Sequence, residues 1–448
     1  MRDLLSRALL VAAAMLLLAS AALAQGRSIS FIRDTEIEAT IRDFATPLFA
    51  AAGLEPNAIG VHLVNDRSLN AFVGNGLNLF INTGLLIRSE HAGQVIGVIA
   101  HETGHIQGGH LVQMREQIDQ ATIPLLLEML ATIGAVGAGA QASTPNDWGG
   151  VRGGGGPTMT ERLLLRYSRA MENQADQAAL TLLDRTGQSA RGLMEFLDIL
   201  ADQELLQVGR QDPYVRTHPI TRERVDVVRN HVARSRHSAA ALPAGFAERH
   251  ARMRGKLLGF LEPGRVASMY RPVDQSIEAR YARAIAAYKR LDFAAADAQL
   301  AALTREHPND PFFIETRAQF LLEQGKPEAA RALYAQAATL APTEPLIVQS
   351  LGSAELQSGA VTEAIATLER AQRLRATDPG TWRLLAQAYG RDGRTAMADY
   401  AQAEYFMLIG RRNDAVHFAS RALRGLAEGS AVRLRAQDIK DLAGRRTR

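Results

Sequence analysis

Residues 94–110, QVIGVIAHETGHIQGGH, decide how the rest of this chain is read. Within them His101-Glu102-Thr103-Gly104-His105 spells HExxH, and Val95, Ile96, Val98, Ile99 and Ala100 directly before it suit a buried helix. At about 100° per residue, His101 and His105 come round to one face a turn apart. Two imidazoles so placed can hold one Zn²⁺ at about 2.0–2.1 Å. Glu102 projects towards the open coordination position, where its carboxylate can take a proton from a water and return it to a leaving amine. Gly104 costs a helix about 1 kcal/mol relative to alanine, which predicts a second backbone packed close to it. His91 and His110 lie nearby without completing a ligand triplet, and both read as surface or core histidines.

A zinc site needs a third ligand. The 448-residue chain has no cysteine, so His, Asp and Glu must supply it. Glu172, in the helical, alanine-rich segment Glu172-Asn173-Gln174-Ala175-Asp176, is the best candidate. Asp176 falls one turn on, where it can accept a hydrogen bond from the second nitrogen of a ligand imidazole and fix its tautomer. The competing reading, two ordinary helix-surface acids, is weakened by the HExxH upstream. Thr217-His218-Pro219 opens a helix running through His231. His218 there is either a helix cap or a group that approaches the zinc, as fourth ligand or hydrogen-bond donor.

Upstream, Ile32, Ile37, Ile41, Phe44, Leu48 and Phe49 recur at helical spacing from Ser28 to Ala52, with Pro47 expected to kink or break the last turn. Ala58–Leu63 reads as a strand, as do Asn70–Val73 and Leu77–Ile81 around the turn Gly74-Asn75-Gly76. The edge at Asn70, Ala71 and Phe72 could hydrogen-bond an extended peptide across the metal, or the pair could be a hairpin supporting the helix. Ile123–Ala140 approaches the length of a membrane span, but Pro124, Glu128, Gly134, Gly137 and Gly139 favour a lid or membrane-touching segment. With the glycine-rich 143–157 stretch it forms an insertion over 121–157.

The N-terminus reads as a secretory signal peptide over 1–24: Arg2 and Arg7, the apolar run Ala8–Ala19, then Ala22-Leu23-Ala24 before Gln25. It predicts export to a bacterial periplasm. The net charge of +4 is not gathered into basic blocks, so no nucleic-acid partner is expected.

The last third has a period of 34. Pro311, Pro345 and Pro379 keep it, as do Gly325, Gly359 and Gly393, Ala330, Ala364 and Ala398, and the small residues Ala318, Gly352 and Ala386. Four position classes agreeing on this step identify tetratricopeptide (TPR) repeats. Proline starts one helix, glycine sits in the turn, and small residues let the paired helices approach. A degenerate unit around Ala279–Leu303 has Leu291 where the turn glycine belongs. The expected division is therefore a peptidase domain over 25–270, repeats over 271–430 and a charged, frayed tail over 431–448. The fold class is mainly α, an HExxH zinc-peptidase domain with a small β-sheet followed by an α-solenoid.

The Asn-Ala-Phe strand, HETGH, a Glu-x-x-x-Asp helix, a His-Pro segment and TPRs, in that order, resemble the periplasmic zinc peptidases of the BepA type. Their catalytic domain is similar to the HtpX and CAAX-prenyl-protease metallopeptidases. The resemblance implies His101, His105 and Glu172 as ligands of one Zn²⁺ per chain, Glu102 as general base and Asp176 as partner of a histidine ligand. It further implies that His218 is a regulatory histidine able to occupy the open metal position, and that Arg224 is the arginine of that segment. The glycine-rich insertion matches a region that covers the active site in relatives. For function it implies quality control of misfolded or unassembled outer-membrane proteins, with the TPR groove docking on the barrel-assembly machinery and peripheral membrane contact allowed. A chaperone-like scaffold with a latent, self-inhibited metal site is the alternative.

Overall fold

Alternating apolar residues build the one sheet that the sequence stretch before the HExxH helix supplies. β1 (Phe31–Ile32), β2 (Gly60–Val64), β3 (Ala71–Gly74) and β4 (Asn78–Asn82) lie in the order β1-β2-β4-β3. β2 and β4 are parallel; β1 and β3 flank them antiparallel. Val61, Leu63, Ala71, Val73, Leu79 and Ile81 are all buried, as one set of alternating positions facing the core. On the other face His62 and Phe72 both stack on Phe80, at 5.0 and 4.9 Å between ring centroids. The expected hairpin is thus part of a larger sheet. Ile32, expected on the first helix, belongs to a strand instead.

The structure, a computed structural model, describes residues 30–74, 77–110, 112–113, 159–204 and 218–444. The expected signal peptide (1–24) and insertion (121–157) lie outside them. Among the described residues, no helix is long and apolar enough to cross a membrane.

Two compact units divide the chain: Met1–Arg33 with Ile41–Ala247, and Asp34–Thr40 with Glu248–Arg448. α1 (Thr35–Ala51) runs on through Pro47 without the expected break. In the first unit follow α2 (Thr83–Arg88), α3 (Ala92–Gln107), α4 (Met159–Arg185), α5 (Arg191–Glu204) and α6 (Arg222–Arg234). α3 is the centre of this unit, with every residue from Ala92 to His105 buried. Glycines make that burial possible. A Cβ on Gly97 would stand 2.7 Å from the Leu193 backbone of α5, and one on Gly104 would stand 2.7 Å from the Ala175 carbonyl of α4. The second backbone that Gly104 predicted is therefore α4.

The second unit opens with α7 (Phe246–Leu261), whose last residues from Glu248 belong to it, and α8 (Pro263–Met269). The paired repeat helices follow: α9 (Ile277–Lys289) with α10 (Phe293–Glu306), α11 (Pro311–Glu323) with α12 (Pro327–Leu340), α13 (Pro345–Gln357) with α14 (Val361–Leu374), and α15 (Pro379–Arg391) with α16 (Thr395–Leu408). α17 (Arg412–Ala422) and α18 (Ala431–Gly444) close the array. The expected frayed tail is helical as far as Gly444, because Ala436, Ile439 and Ala443 share a face and are buried. Inside this unit Lys256 is fully buried, with its Nζ 2.9 Å from Asp34 and 3.4 Å from Glu36. Arg252 bridges Glu36 and Asp310. These cations tie the short 34–40 segment to the first repeat helices.

Gly325, Gly359 and Gly393 turn the chain between paired helices at φ +74°, +84° and +78°. Leu291 does the same at φ +67°, as a residue that is 74% exposed. A β-carbon in this region costs about 1–2 kcal/mol, while glycine loses about 0.5–1 kcal/mol through the unfolded chain. Leu291→Gly is therefore expected to stabilise the protein by about 0.5–1 kcal/mol, read as a higher midpoint in urea. A lower midpoint would mean that Leu291 is held by contacts rather than strained.

Candidate metal centre

α3 presents His101 and His105 on one face, and α4 presents Glu172 and Asp176 on the face opposite. All four are buried. His101 Nε2 stands 3.1 Å from His105 Nε2, and Glu172 carboxylate oxygens stand 3.3 Å from each. The turn before α6 adds His218, whose Nδ1 is 3.0 Å from Glu172 and 3.4 Å from His101 Nε2. A tetrahedral ion with bonds of about 2.0–2.1 Å has edges of about 3.3 Å between donor atoms. The cluster of His101, His105, Glu172 and His218, with its potential ligand atoms all within 4.8 Å of one another, fits such an ion in spacing and in chemistry.

The other ring nitrogens and carboxylates are held from behind. His101 Nδ1 meets Asp176 Oδ1 at 2.9 Å. Arg224, 1% exposed, grips Asp176 with Nε at 2.6 Å and Nη2 at 3.0 Å, reaches Glu172 at 3.0 Å, and donates to the Pro219 carbonyl at 2.9 Å. One guanidinium thereby joins the two acids of α4 to the His218-Pro219 turn. Its own place is set by the Thr221 cap, whose hydroxyl accepts from the Arg224 N–H. Removing one partner of such a buried pair costs about 3–5 kcal/mol.

The charges are unequal. Burial lowers the affinity of His101 for a proton, but Asp176 and Glu172 outweigh it and raise the pKa to about 10. Burial dominates at His105, which is lowered to about 4. Glu172 and Asp176 stay well within the ionised range despite burial, because of the histidines around Glu172, and because of His101 and Arg224 at Asp176.

Glu102 stands apart from this network. It is 1% exposed, and no described side chain hydrogen-bonds either carboxylate oxygen. Burial raises its pKa; His218, with Nε2 at 3.6 Å, His101 and the Val73 backbone N–H work against that. Val73 brings β3 into the site. Asn82 N–H donates to the Asn70 carbonyl, so with the β3–β4 register the 72:80 and 74:78 pairs are the hydrogen-bonded ones. The backbone of Ala71 and Val73 therefore turns to the other side of β3, where no strand pairs among the described residues. Of the edge residues expected from sequence, Ala71 points outward; Asn70 and Phe72 point their backbones at β4, and Val73 was missed.

Of the two histidines set aside in the sequence, His91 caps α3 by accepting from the Gly93 N–H and pairs with Glu195 at 2.6 Å. His110 belongs to the site: its Nδ1 lies 2.9 Å from His105 Nδ1, and its Nε2 lies 3.1 Å from Gln174 Oε1.

An HExxH helix, a carboxylate from a second helix and a buried glutamate outside that donor set define a metallopeptidase centre. Residues 32–232 match peptidase family M48, and residues 281–345 and 321–388 match tetratricopeptide repeats. The chain thus carries an M48 peptidase domain followed by TPR repeats, and it is a metalloendopeptidase. It is 25% identical over 420 residues to a beta-barrel assembly-enhancing protease of Yersinia pestis, spanning 91% of this chain and 83% of that protein. The protein of the same name from Escherichia coli K12 is 26% identical over 416 residues, with the same shares. The mitochondrial metalloendopeptidase OMA1 of Schizosaccharomyces pombe is 25% identical over 181 residues, 40% of this chain and 48% of that one.

Coordination needs the His101 Nε2 lone pair; with its pKa raised to about 10, the metal-free His101 carries a proton on both ring nitrogens at pH 8, whereas His105 is neutral. Ion uptake at pH 8 is expected to release about one proton per site, measured by calorimetry in two buffers of different ionisation enthalpy. Equal heats in both buffers would contradict the charged His101.

Proposed function

We propose that this chain is a zinc endopeptidase of the bacterial periplasm, acting in assembly or quality control of outer-membrane proteins, and held back by its own His218. The observation that carries the reading is the division of labour at one buried point. Three side chains converge as a ligand set, His101, His105 and Glu172, while Glu102, buried beside them, hydrogen-bonds no described side chain.

When bound, the ion supplies the Lewis acidity that polarises a scissile carbonyl and acidifies a water. Glu102 accepts that water's proton and later gives it to the leaving amine; burial, which raises its pKa, suits it to both roles. Asp176 and Arg224 hold the His101 ring in place. Ala71 and Val73 offer outward backbone groups to an extended substrate, which adds to β3 beside Glu102. His218 Nδ1 stands where a fourth donor belongs, with its other nitrogen towards Glu102. In this arrangement it takes the position that substrate or water needs.

The expected signal peptide supports a periplasmic address. The names of the relatives support outer-membrane β-barrel assembly as the setting. Unassembled β-barrel chains suit an edge that pairs with extended peptide, and the repeats suit docking on the assembly machinery. A chaperone-like contribution by the repeats is compatible with a site closed by His218.

Three proteins test this: wild type, Glu102→Gln and His218→Ala, compared for zinc content and for cleavage of an unfolded outer-membrane protein. All three are expected to hold zinc, with Glu102→Gln slower by about 10²–10⁴-fold and His218→Ala faster than wild type. Undiminished cleavage by Glu102→Gln would refute the role of Glu102. Slower cleavage by zinc-loaded His218→Ala would refute self-restraint.

A further inference from the structure

Each ligand imidazole has a second nitrogen, and the two are treated differently. His101 Nδ1 faces a carboxylate, Asp176, whereas His105 Nδ1 faces a neutral ring, His110. His110 is 3% exposed and lies beyond the end of α3, where helical spacing from His105 no longer applies. Two glycines bring it back. Gly109 adopts φ +63°, reversing the chain, and the His110 ring then lies over Gly108. A Cβ on Gly108 would stand 2.3 Å from His110 Nε2 and 2.7 Å from its Cδ2. The ring occupies space that only glycine leaves open.

The hydrogen bonds run in one direction. Gln174 Oε1 is an acceptor only, so His110 Nε2, 3.1 Å away, carries the hydrogen. A neutral His110 then has its lone pair on Nδ1. His105 must donate to it from Nδ1 across 2.9 Å. That leaves the lone pair of His105 on Nε2, the nitrogen turned towards His101 and Glu172. The amide of Gln174 thus sets, through two rings, which face of His105 can bind a cation. The segment Glu172–Asp176 supplies a candidate ligand and the anchors behind both histidines.

We propose that His110 is a positioning residue for the metal site: seated over Gly108 and braced by Gln174, it fixes the ring and tautomer of His105. The inference rests on reading His105 as a metal ligand. Because the relay is neutral, it orients His105 without adding a second anion behind the ion, which a carboxylate in the place of His110 would do.

The test uses the full mature protein and measures Zn²⁺ affinity by chelator competition, with the visible spectrum of the Co²⁺-loaded protein as a readout of ligand geometry. His110→Ala is expected to weaken Zn²⁺ binding by about 10–100-fold and to change the Co²⁺ spectrum. His110→Asn, whose Oδ1 can accept the same hydrogen, is expected to recover most of the loss. Gly108→Ala, which removes no polar group, is expected to weaken binding in wild type by evicting the ring. It is expected to add almost nothing in the His110→Ala background, because both changes break one contact. Gln174→Ala lies at an exposed position and keeps the test open should His110→Ala fail to fold; a several-fold loss is expected. Wild-type affinity and spectrum in His110→Ala, or full additivity with Gly108→Ala, would overturn the proposal. His105→Ala separates the two readings. If it abolishes binding while His110→Ala and Gln174→Ala are silent, only the relay falls; if wild type binds no Zn²⁺, the ligand reading falls and the relay with it.

Discussion

The first unit depends on how closely α4 approaches α3. His101 and His105 are on one helix and Glu172 on the other, and they can share an ion only if the two backbones nearly touch. Gly104 permits this, with the Ala175 carbonyl where its side chain would be. The helix-propensity cost of a glycine inside the metal-binding motif, about 1 kcal/mol, is the condition for the motif to find its third partner. Gly97 does the same against α5 at Leu193. α3 is therefore buried from Ala92 to His105, and its histidines are fixed by packing before any ion is involved.

Burying that much charge needs a counterweight, and Arg224 supplies it. Glu172 and Asp176 are both ionised in a site that water hardly reaches. One guanidinium contacts both and also holds the carbonyl of Pro219. Fork geometry makes this a task for arginine; a lysine could not bridge the three acceptors in the same way. As a result the His218 turn is attached to the acids of α4 rather than to solvent. Movement of His218 away from the cluster would have to proceed about this anchor.

Much of this was legible in the sequence, where periodicity and short spacing carry the information. HExxH placed its two histidines, the four-residue step from Glu172 to Asp176 placed both acids, and the 34-residue period placed the repeat helices. What escaped was set by turns and by partners distant in the chain. His110 is five residues from His105, a step that no helix brings to one face; only the Gly108-Gly109 reversal does so. Those two glycines after the motif were the available signal. Val73 was missed because the outward backbone of an edge strand depends on the pairing register, which side-chain types do not reveal. The break expected at Pro47 did not appear, since Ile41, Phe44, Leu48 and Phe49 keep α1 buried on both sides of it. Nothing in the sequence around Lys256 and Arg252 signals their burial, because the acids that pair with them, Asp34 and Glu36, lie more than 200 residues earlier.

The arrangement also bears on whether the site is for chemistry or only for folding. A structural metal site closes its ligand set. Here four donor residues lie at the spacing of a tetrahedral ion, and Glu102 is buried next to them outside that set. A glutamine or leucine would fill the same space more cheaply in a scaffold. Peptide hydrolysis at a metal has a use for a carboxylate in such a place, and a site that served folding alone does not.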